Sequence, residues 1–262
     1  MLTLVPTPIG NLQDITYRAI EKFNSCDTIL CEDTRVTKQL LSLLSQTHPI
    51  DCKAEFLSFH EHNQYQRLQS FDPDFFQKDI VYVSDAGMPA ISDPGASLVR
   101  YCIENMIEYD VLPGANAAIT AFAASGYEGA FTFYGFLPKD KRAKALQEVM
   151  DAKEYAIIYE APHRIEKLIA EICVIDSQRE IFLAKEISKK FQTFYKSKAK
   201  DIVLNNSKGE WVAVVSPNPK AKIEISLDEI IKLDMAPKPK SKLLAKYSDK
   251  SAKEWYNELI NG

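Results

Sequence analysis

Two carboxylates and several turn-forming residues lie close together in the segment VSDAGMPAISDPG, residues 83–95. Asp85 and Asp93 each precede a glycine by two residues, and the segment also holds two prolines and two serines. A carboxylate in such a loop can accept a proton from a reacting group, or it can close a turn. Glycine lets the backbone come close to a ligand. The segment therefore predicts either an elaborate turn or one wall of a ligand site.

Five other loops of similar composition also follow predicted strands. They are PTPIGN, EDTR, HEHN, LPGAN and EAPHR. In an open parallel sheet, ligands bind beyond the carboxyl ends of the strands, at a switch in strand order. Gly, Pro, Asn and Asp also dominate ordinary turns, so one such loop alone would indicate little. Six of them on one edge favour a ligand crevice.

The first half of the chain alternates short apolar runs with helical patterns. Strands are predicted over 2–5, 28–31, 55–59, 80–84 and 109–112. The first helix is predicted to begin near Asp14, because apolar residues recur from there at helical spacing. This alternation predicts a mainly parallel sheet with helices on both faces.

The second half predicts a mixed sheet, because strand patterns follow one another with few helices between them. The predicted strands are 131–136, 155–160, 180–186, 192–197 and 210–216, and the predicted helices are 139–151 and 163–173. We therefore expect an N-terminal α/β domain over 1–115, a C-terminal mixed α/β domain over 116–225, and a helical, lysine-rich tail over 226–262.

The composition is that of a folded globular protein and not of a basic nucleic-acid coat. Of 262 residues, 46% are hydrophobic and 26% are charged, and the net charge is −4. The five cysteines lack CxxC spacing, which favours free thiols in a reducing compartment. The start MLTLVPTPIGN predicts no signal peptide, and the small apolar stretch 117–124 is too short to span a bilayer. We expect a cytoplasmic protein without a membrane segment.

The glycine patterns that hold polyphosphates do not occur in this sequence. There is no GxGxxG after the first strand and no GxxxxGK[ST] anywhere. Such loops bring backbone N–H groups against phosphates, so their absence favours a nucleoside-like ligand without a polyphosphate. S-adenosylmethionine fits this description, and other nucleoside ligands fit it as well.

His60 and His62 flank Glu61 in the HEHN loop. If this segment were a strand, both rings would lie on one face, as a metal site requires. No third ligand follows at a suitable spacing. We expect no metal.

Seven ordered motifs across residues 1–165 resemble one known family. They are VPTPIGNLQDIT, CEDTR, SFHEHN, VSDAGMPAISDPG, LPGANAAITA, YGFLPK and YEAPHR. Together they closely resemble the ribosomal RNA small subunit methyltransferase I family, a branch of the tetrapyrrole methylase superfamily. The resemblance extends to about residue 217.

The resemblance implies a two-domain class III methyltransferase fold. The N-domain would hold a parallel sheet, the C-domain a mixed sheet, and S-adenosylmethionine would bind in the cleft between them. The implied reaction is 2'-O-methylation of a decoding-centre cytidine in 16S rRNA. The implied partners are 16S rRNA, within the small ribosomal subunit, and a second copy of the chain in a homodimer.

The chain departs from the family pattern in two loops on the implied cofactor side. The family usually has Thr where this chain has Met88, and Pro-Ser where it has Ala115–Asn116. Asn can still donate and accept hydrogen bonds, so we expect binding to survive.

The resemblance also implies which residues contact the cofactor. Asp85 and Gly87 would lie at its amino-acid and ribose end, and helix N–H groups at Asn116 and Ala117 would hold its carboxylate. Backbone atoms after the 155–160 strand would read adenine. The predicted cofactor-binding residues are Pro8, Gly10, Asp85, Gly87, Ala115, Asn116, Ala117, Glu160, Ala161 and Pro162. Several of these residues could equally be turn or capping residues.

A ribose hydroxyl is a poor nucleophile, so a positioned base would help the implied reaction. The candidates are Glu32, Asp33, Asp93 and Lys185, and Arg35 suits a phosphate or a carboxylate. We expect Asp85 on the cofactor side and Asp93 on the substrate side. The predicted catalytic residues are Glu32, Arg35, Asp93 and Lys185.

Three lysine-rich segments could bind RNA although the whole chain is acidic. Residues 185–200 hold six lysines with interleaved aromatic residues, and residues 236–253 hold six more against one aspartate. The third cluster is Lys139, Lys141, Arg142 and Lys144. Basic clusters with aromatic residues suit phosphate contact and base stacking, although a solvated helix face would look the same.

Two alternatives remain open at the level of the sequence. A tetrapyrrole or diphthine-type methylase would share the cofactor, although PTPIGN and the lysine-rich C-terminal half disfavour it. A non-enzymatic RNA-binding assembly protein would need no cofactor cleft, so a titration with S-adenosylmethionine distinguishes it.

Overall fold

The computed structural model describes residues 1–72, 74–218 and 227–261. In the described chain, ten strands form two five-stranded sheets. The first sheet contains β1 (Leu2–Leu4), β2 (Thr28–Cys31), β3 (Glu55–Ser58), β4 (Ile80–Val83) and β5 (Tyr109–Val111). Its order is β3-β2-β4-β1-β5 and every pair is parallel. The predicted parallel sheet is confirmed.

Five helices accompany these strands. They are α1 (Tyr17–Ser25), α2 (Thr34–Leu44), α3 (Gln64–Ser70), α4 (Gly95–Glu104) and α5 (Ala117–Ser125). Side chains alternate along β4, so Val81 and Val83 pack with Phe23 of α1 on one face, while Ile80 and Tyr82 pack with Leu98 of α4 on the other. Helices therefore cover both faces, as a parallel sheet requires.

The second sheet is mixed. It contains β6 (Phe131–Phe136), β7 (Tyr155–Glu160), β8 (Glu180–Lys185), β9 (Thr193–Lys198) and β10 (Trp211–Val215), in the order β6-β7-β10-β8-β9. Only β6 and β7 pair in parallel, and the other pairs are antiparallel. Helix α5 packs on one face, and α6 (Arg142–Asp151) and α7 (Ile165–Ile175) pack on the other.

The first helix begins three residues after the predicted start. Asn11 caps a 3-10 helix at Leu12–Asp14, and the Thr16 hydroxyl then accepts a hydrogen bond from Ala19 N at 3.1 Å. Thr16 is thus the N-cap of α1, and Asp14 lies before the helix.

Residues 1–218 form one compact unit, and the tail belongs to a second unit. The tail holds α8 (Leu227–Lys232), α9 (Pro237–Leu244) and α10 (Ala252–Asn261). A capping box starts α10, because Ser251 N donates to Glu254 Oε2 and Glu254 N donates to Ser251 Oγ.

The predicted domain boundary at 115/116 lies between β5 and α5 and stays a prediction, while the boundary at 225/226 lies outside the described residues. Among the described helices, none has the length and apolar character needed to cross a membrane.

Candidate functional site

A cleft of about 410 Å³ lies where the carboxyl ends of the strands of the first sheet meet the ends of two interior strands of the second sheet. The loops after β1, β2, β4 and β5 contribute to it, as expected for a parallel sheet. The second sheet contributes the end of β7 and the start of β10, which are neighbours because these strands are antiparallel. The lining residues are Ile9, Glu32, 84–88, 91–93, Asn116, Ala117, Phe136, 159–162, Ile187 and 210–212.

The loop after β4 is held in a defined shape by Asp93. Its Oδ1 accepts hydrogen bonds from Ala90 N at 2.7 Å and from Gly95 N at 2.9 Å. Ala90 and Ser92 both adopt left-handed backbone conformations, with φ of 67° and 68°. At Gly95, a Cβ would lie 2.6 Å from Tyr82 Cε1, so only glycine fits. Asp93 thus closes the turn and also lines the cleft.

The loop after β1 is tied to the same segment. Thr7 N donates to Gly87 O and Gly87 N donates to Thr7 O, both at 3.0 Å. Gly87 has a φ of 82°, which favours glycine. This bridge places Ile9 in the cleft wall, whereas Pro8 and Gly10 lie outside the lining. Pro8 and Gly10 therefore shape the loop and do not face the cavity.

Glu32, Asp85 and Asp93 form an acidic wall of the cleft. Asp85 N donates to Glu32 Oε1 at 3.2 Å, and Asp33 N donates to Asp85 Oδ1 at 3.2 Å. No Lys or Arg of the described residues forms an ion pair with any of the three wall carboxylates. The wall is therefore a set of carboxylates without a protein cation.

The pKa of each of these three carboxyl groups lies above its ordinary value. Burial is the main cause in each case, and it outweighs the backbone N–H groups that stabilise the charged forms. The charges of Asp93 and Asp85 raise the pKa of Glu32 further. A cation or an exchangeable proton would relieve this repulsion.

Two of the predicted catalytic residues lie away from the cleft lining. The Lys185 ammonium donates to Asn206 O at 2.9 Å and lies 5.5 Å from the centroid of the Trp211 ring. Arg35 is exposed and forms an ion pair with Asp33 at 2.7 Å. The structure therefore brings only Glu32 and Asp93 of that predicted set together in the cleft.

The end of β7 is fixed by a buried ion network. The Glu160 carboxylate is fully buried, and its oxygens lie 2.7 Å from Arg142 Nη2 and 2.7 Å from Arg164 Nε. It also accepts a hydrogen bond from Ala161 N at 2.9 Å, and Glu171 holds Arg142 from the other side. The Glu160 carboxylate is thus fully paired with groups of the protein. The network fixes the position of the backbone at Ala161, which lines the cleft.

The start of α5 forms the wall beside β7. The Asn116 side chain caps the helix by accepting from Ile119 N at 3.1 Å, and Ala118 N donates to the Tyr159 hydroxyl at 3.2 Å. Asn116 and Ala117 line the cleft, whereas Ala115 does not. Met88, the other departure from the family pattern, is also a lining residue.

The sequence predictions named Glu160, Ala161 and Pro162 at the end of β7, but they missed the other cleft residues of the second sheet and an apolar residue of the first loop. These residues are Ile9, Phe136, Tyr159, Ile187, Glu210, Trp211 and Val212. The register that pairs Trp211 with Glu160 brings the start of β10 to the cleft. The continuous apolar run WVAVV predicts a buried strand but not its partner, so the sequence carries no direct signal for this wall.

The HEHN loop is a turn and not a strand, because β3 ends at Ser58. His60 N donates to Asn63 Oδ1 at 2.8 Å, and the rings of His60 and His62 have centroids 6.0 Å apart. Across the described chain, no three or more His, Cys, Asp or Glu side chains are placed to hold a metal ion.

The basic clusters contain fewer free cations than the sequence suggests. Arg142 is buried against Glu160 and Glu171, so its assignment to an RNA-binding cluster is wrong. Lys196 donates to Ser125 O at 2.9 Å and lies 4.1 Å from the Tyr127 ring centroid. In the clusters at 139–144 and 185–200, the exposed lysines are Lys139, Lys141, Lys144, Lys190, Lys196, Lys198 and Lys200.

Comparison with known proteins agrees with the fold and the motifs. The chain matches the family described as Tetrapyrrole (Corrin/Porphyrin) Methylases over residues 1–203. A Helicobacter pylori (strain J99) protein named ribosomal RNA small subunit methyltransferase I is 41% identical, over 99% of this chain and 97% of that protein. A Campylobacter fetus protein of the same name is 43% identical, over 99% of this chain and 100% of that protein.

Solved structures of similar fold have low sequence identity. The methyltransferase CobJ matches with a TM-score of 0.59 and 14% identity, over 82% of this chain and 93% of that chain. Uroporphyrin-III-C-methyltransferase from Thermus thermophilus matches with a TM-score of 0.54 and 13% identity, over 82% and 94%. These two structures confirm the predicted two-domain α/β fold and show the fold alone.

Replacing Glu160 should cost more stability than replacing Glu171. Glu160→Gln leaves the partly buried Arg164 without its carboxylate and the buried Arg142 with Glu171 alone, so we expect a loss of about 3 kcal/mol in the free energy of unfolding. Glu171 is partly exposed and holds only one of these arginines, so Glu171→Gln should cost about 1 kcal/mol or less. Urea unfolding of both variants measures the difference. Equal losses would contradict the central place of Glu160 in the network.

Replacing Glu32 should stabilise the protein at neutral pH. Because the pKa of Glu32 is raised on folding, the folded state binds the proton more tightly than the unfolded chain does. The charged carboxylate therefore destabilises the fold above that pKa, and this penalty disappears below the ordinary pKa of glutamate. Glu32→Gln should raise the melting temperature at pH 7 by about 2 °C, and the gain should vanish as the pH falls towards about 4.

The matched control for this change is Glu61→Gln, because Glu61 is an exposed acid in the HEHN turn. Its melting temperature should follow that of the wild type across the same pH range. A Glu32→Gln variant that is less stable than the wild type at pH 7 would show that the carboxylate stabilises the fold.

Proposed function

Because the chain belongs to the tetrapyrrole methylase family, we propose that it is an S-adenosylmethionine-dependent methyltransferase of ribosomal RNA. The finer form of the proposal is 2'-O-methylation of the ribose of a decoding-centre cytidine in 16S rRNA. The observation that carries it is the cleft at the strand ends, where three carboxylates lack a protein cation. Similarity over nearly the full length to relatives named ribosomal RNA small subunit methyltransferase I supports an RNA substrate.

The residues of the cleft fit S-adenosylmethionine. A volume of about 410 Å³ is in the range of small-molecule sites, and apolar side chains such as Ile9, Phe136 and Val212 provide a dry wall. The acidic wall complements a sulfonium and an ammonium group. The loops lack the glycine patterns that hold polyphosphates, which suits a nucleoside without phosphates.

We assign the parts of the cofactor to the cleft by charge. Asp85 and Gly87 would hold the amino-acid and ribose end, and the first N–H groups of α5, at Asn116 and Ala117, suit its carboxylate. The backbone at Ala161, kept in place by the Glu160 network, would read the adenine. When bound, S-adenosylmethionine supplies an electrophilic methyl group on a positively charged sulfur.

Glu32 is the group we assign as the base. Its Oε1 accepts from Asp85 N, and its Oε2 accepts no hydrogen bond from the described residues, so one oxygen is free for the proton of a ribose hydroxyl. Its raised pKa makes it a better proton acceptor than an ordinary carboxylate. One oxygen of Asp93, Oδ1, already accepts hydrogen bonds from two backbone N–H groups. We therefore assign Asp93 to shaping the substrate side of the cleft and not to proton transfer.

Arg35 and Lys185 have no part in the proposed proton transfer. Arg35 is exposed at the start of α2, the helix that follows Glu32, and suits an RNA phosphate. Lys185 is buried beside Trp211 and stabilises the second sheet next to the cleft. The proposal also includes a homodimer that acts in the cytoplasm on the small ribosomal subunit.

A direct assay tests the proposed reaction. The purified protein is incubated with methyl-labelled S-adenosylmethionine and with either small ribosomal subunits or naked 16S rRNA that lacks the modification. Nucleoside mass spectrometry should then find the label on the ribose of a cytidine. A label on a base, or a label found only on an added tetrapyrrole, would contradict the proposal.

Glu32→Gln tests the assignment of the base. The change keeps an oxygen for Asp85 N but removes the proton acceptor, so kcat should fall by about 100-fold. The dissociation constant for S-adenosylmethionine should change much less than kcat, because Asp85 and Asp93 remain in the acidic wall. The wild-type rate should rise with pH through the raised pKa of Glu32, because the base must be ionised, and the variant should lose this rise. Glu61→Gln again serves as control. An unchanged kcat in Glu32→Gln would remove the residue from the chemistry.

A further inference from the structure

The loop between β8 and β9, residues 186–192, contributes Ile187 to the cleft and carries an aromatic side chain in solvent. Phe191 is 70% exposed, and the Lys190 ammonium lies 5.6 Å from the centroid of its ring. Exposing a phenylalanine forfeits the favourable free energy of burying its ring. In the described part of the chain, Lys190 has no acidic partner. The loop thus offers an aromatic face and a free cation to a ligand from outside.

This loop has a defined structure, so the exposure of Phe191 is not the result of a loose turn. Glu186 and Ser188 adopt left-handed conformations with φ of 53° and 66°. Ser188 N donates to Gln192 Oε1 at 2.7 Å, and Gln192 N donates to Lys189 O at 3.1 Å. The base of the loop is therefore closed by its own hydrogen bonds.

Lys189 anchors the loop to the cleft. Its ammonium lies 3.1 Å from Glu186 Oε1 and 3.0 Å from Glu210 Oε2, and Glu210 lines the cavity. Its aliphatic stem covers Gly10, where a Cβ would lie only 2.2 Å from Lys189 Cγ. The glycine that shapes the first loop is thus needed for the close approach of this lysine. Ser188 also donates to Asp14, beside the same loop.

Ile187 places the aromatic side chain within reach of the site. Ile187 itself lines the cleft, and it is four residues from Phe191. Four residues of extended chain span at most about 14 Å, so the two Cα atoms lie within that distance. Phe191 therefore lies within reach of a nucleotide strand whose target ribose occupies the cleft.

We propose that Phe191 is a stacking platform for an unpaired base of single-stranded RNA, and that Lys190 contacts the adjoining phosphate. The inference rests on the proposed function, and it names the part of the surface that holds the substrate. Aromatic side chains bind unstacked bases through their faces, and this contact tolerates any base. Phe191 then contributes to the affinity for RNA and not to the choice of nucleotide.

The test compares Phe191→Ala with Phe191→Trp, which restores a stacking face. The control is Val174→Ala, because Val174 is 87% exposed at the end of α7 and lies outside the cleft lining. Binding of a fluorescent single-stranded fragment of 16S rRNA is measured without cofactor, together with the KM for the same RNA. The affinity for S-adenosylmethionine is measured in parallel.

Phe191→Ala should weaken RNA binding and raise the KM for RNA by about 10-fold, while the affinity for S-adenosylmethionine stays unchanged. Phe191→Trp and Val174→Ala should both behave as the wild type. Wild-type RNA affinity in Phe191→Ala would overturn the inference, and so would a loss of RNA affinity that follows a change of oligomeric state in sedimentation.

The binding measurement separates this inference from the proposed function. If the wild type binds the RNA and Phe191→Ala does not, but no methyl group is transferred, the stacking site stands and the proposed reaction fails. If the wild type does not bind the fragment, the stacking inference fails, and the labelled-methyl assay on subunits or whole 16S rRNA still decides the proposed reaction.

Discussion

The site depends on bringing three carboxylates together at the ends of two neighbouring parallel strands, with Glu32 and Asp93 partly buried and Asp85 exposed. Backbone N–H groups reach Glu32, Asp85 and Asp93, and each such bond to a charged group contributes about 2 kcal/mol. Burial still outweighs these bonds, because the pKa of all three groups is raised. The fold therefore keeps an unfavourable charge pattern in its cleft, and a bound cation would relieve it.

Glu160, another acidic residue of the same unit, is neutralised by protein cations instead. Glu160 is more deeply buried than the cleft acids, yet two arginines neutralise it and its backbone neighbour is held by the same carboxylate. This contrast distinguishes the two roles. A carboxylate that shapes the protein is paired within it, whereas carboxylates left without protein cations in a cleft are available to a ligand or to a reaction.

Much of the fold and about half of the site could be predicted from the sequence. Runs such as Ile80–Val83 predict buried parallel strands, and the ends of such strands meet at one edge, which is why Glu32, Asp85 and Asp93 were found. Beyond Glu160, Ala161 and Pro162, the second wall could not be predicted, because the pairing of β10 with β7 depends on a register that local patterns do not contain. The prediction that Arg142 belongs to an RNA-binding cluster was wrong as well. A basic residue in a lysine-rich segment can be buried in an ion pair with a glutamate that is distant in the sequence.

The most direct test of the account is a crystal structure of the protein with S-adenosylhomocysteine, the demethylated product of the cofactor. We expect the adenosine and amino-acid groups in the cleft, between the Asp85–Met88 loop and the backbone at Ala161 and Pro162. Its amino group should lie next to the acidic wall. A ligand bound at another place, or an empty cleft at saturating ligand, would contradict the account.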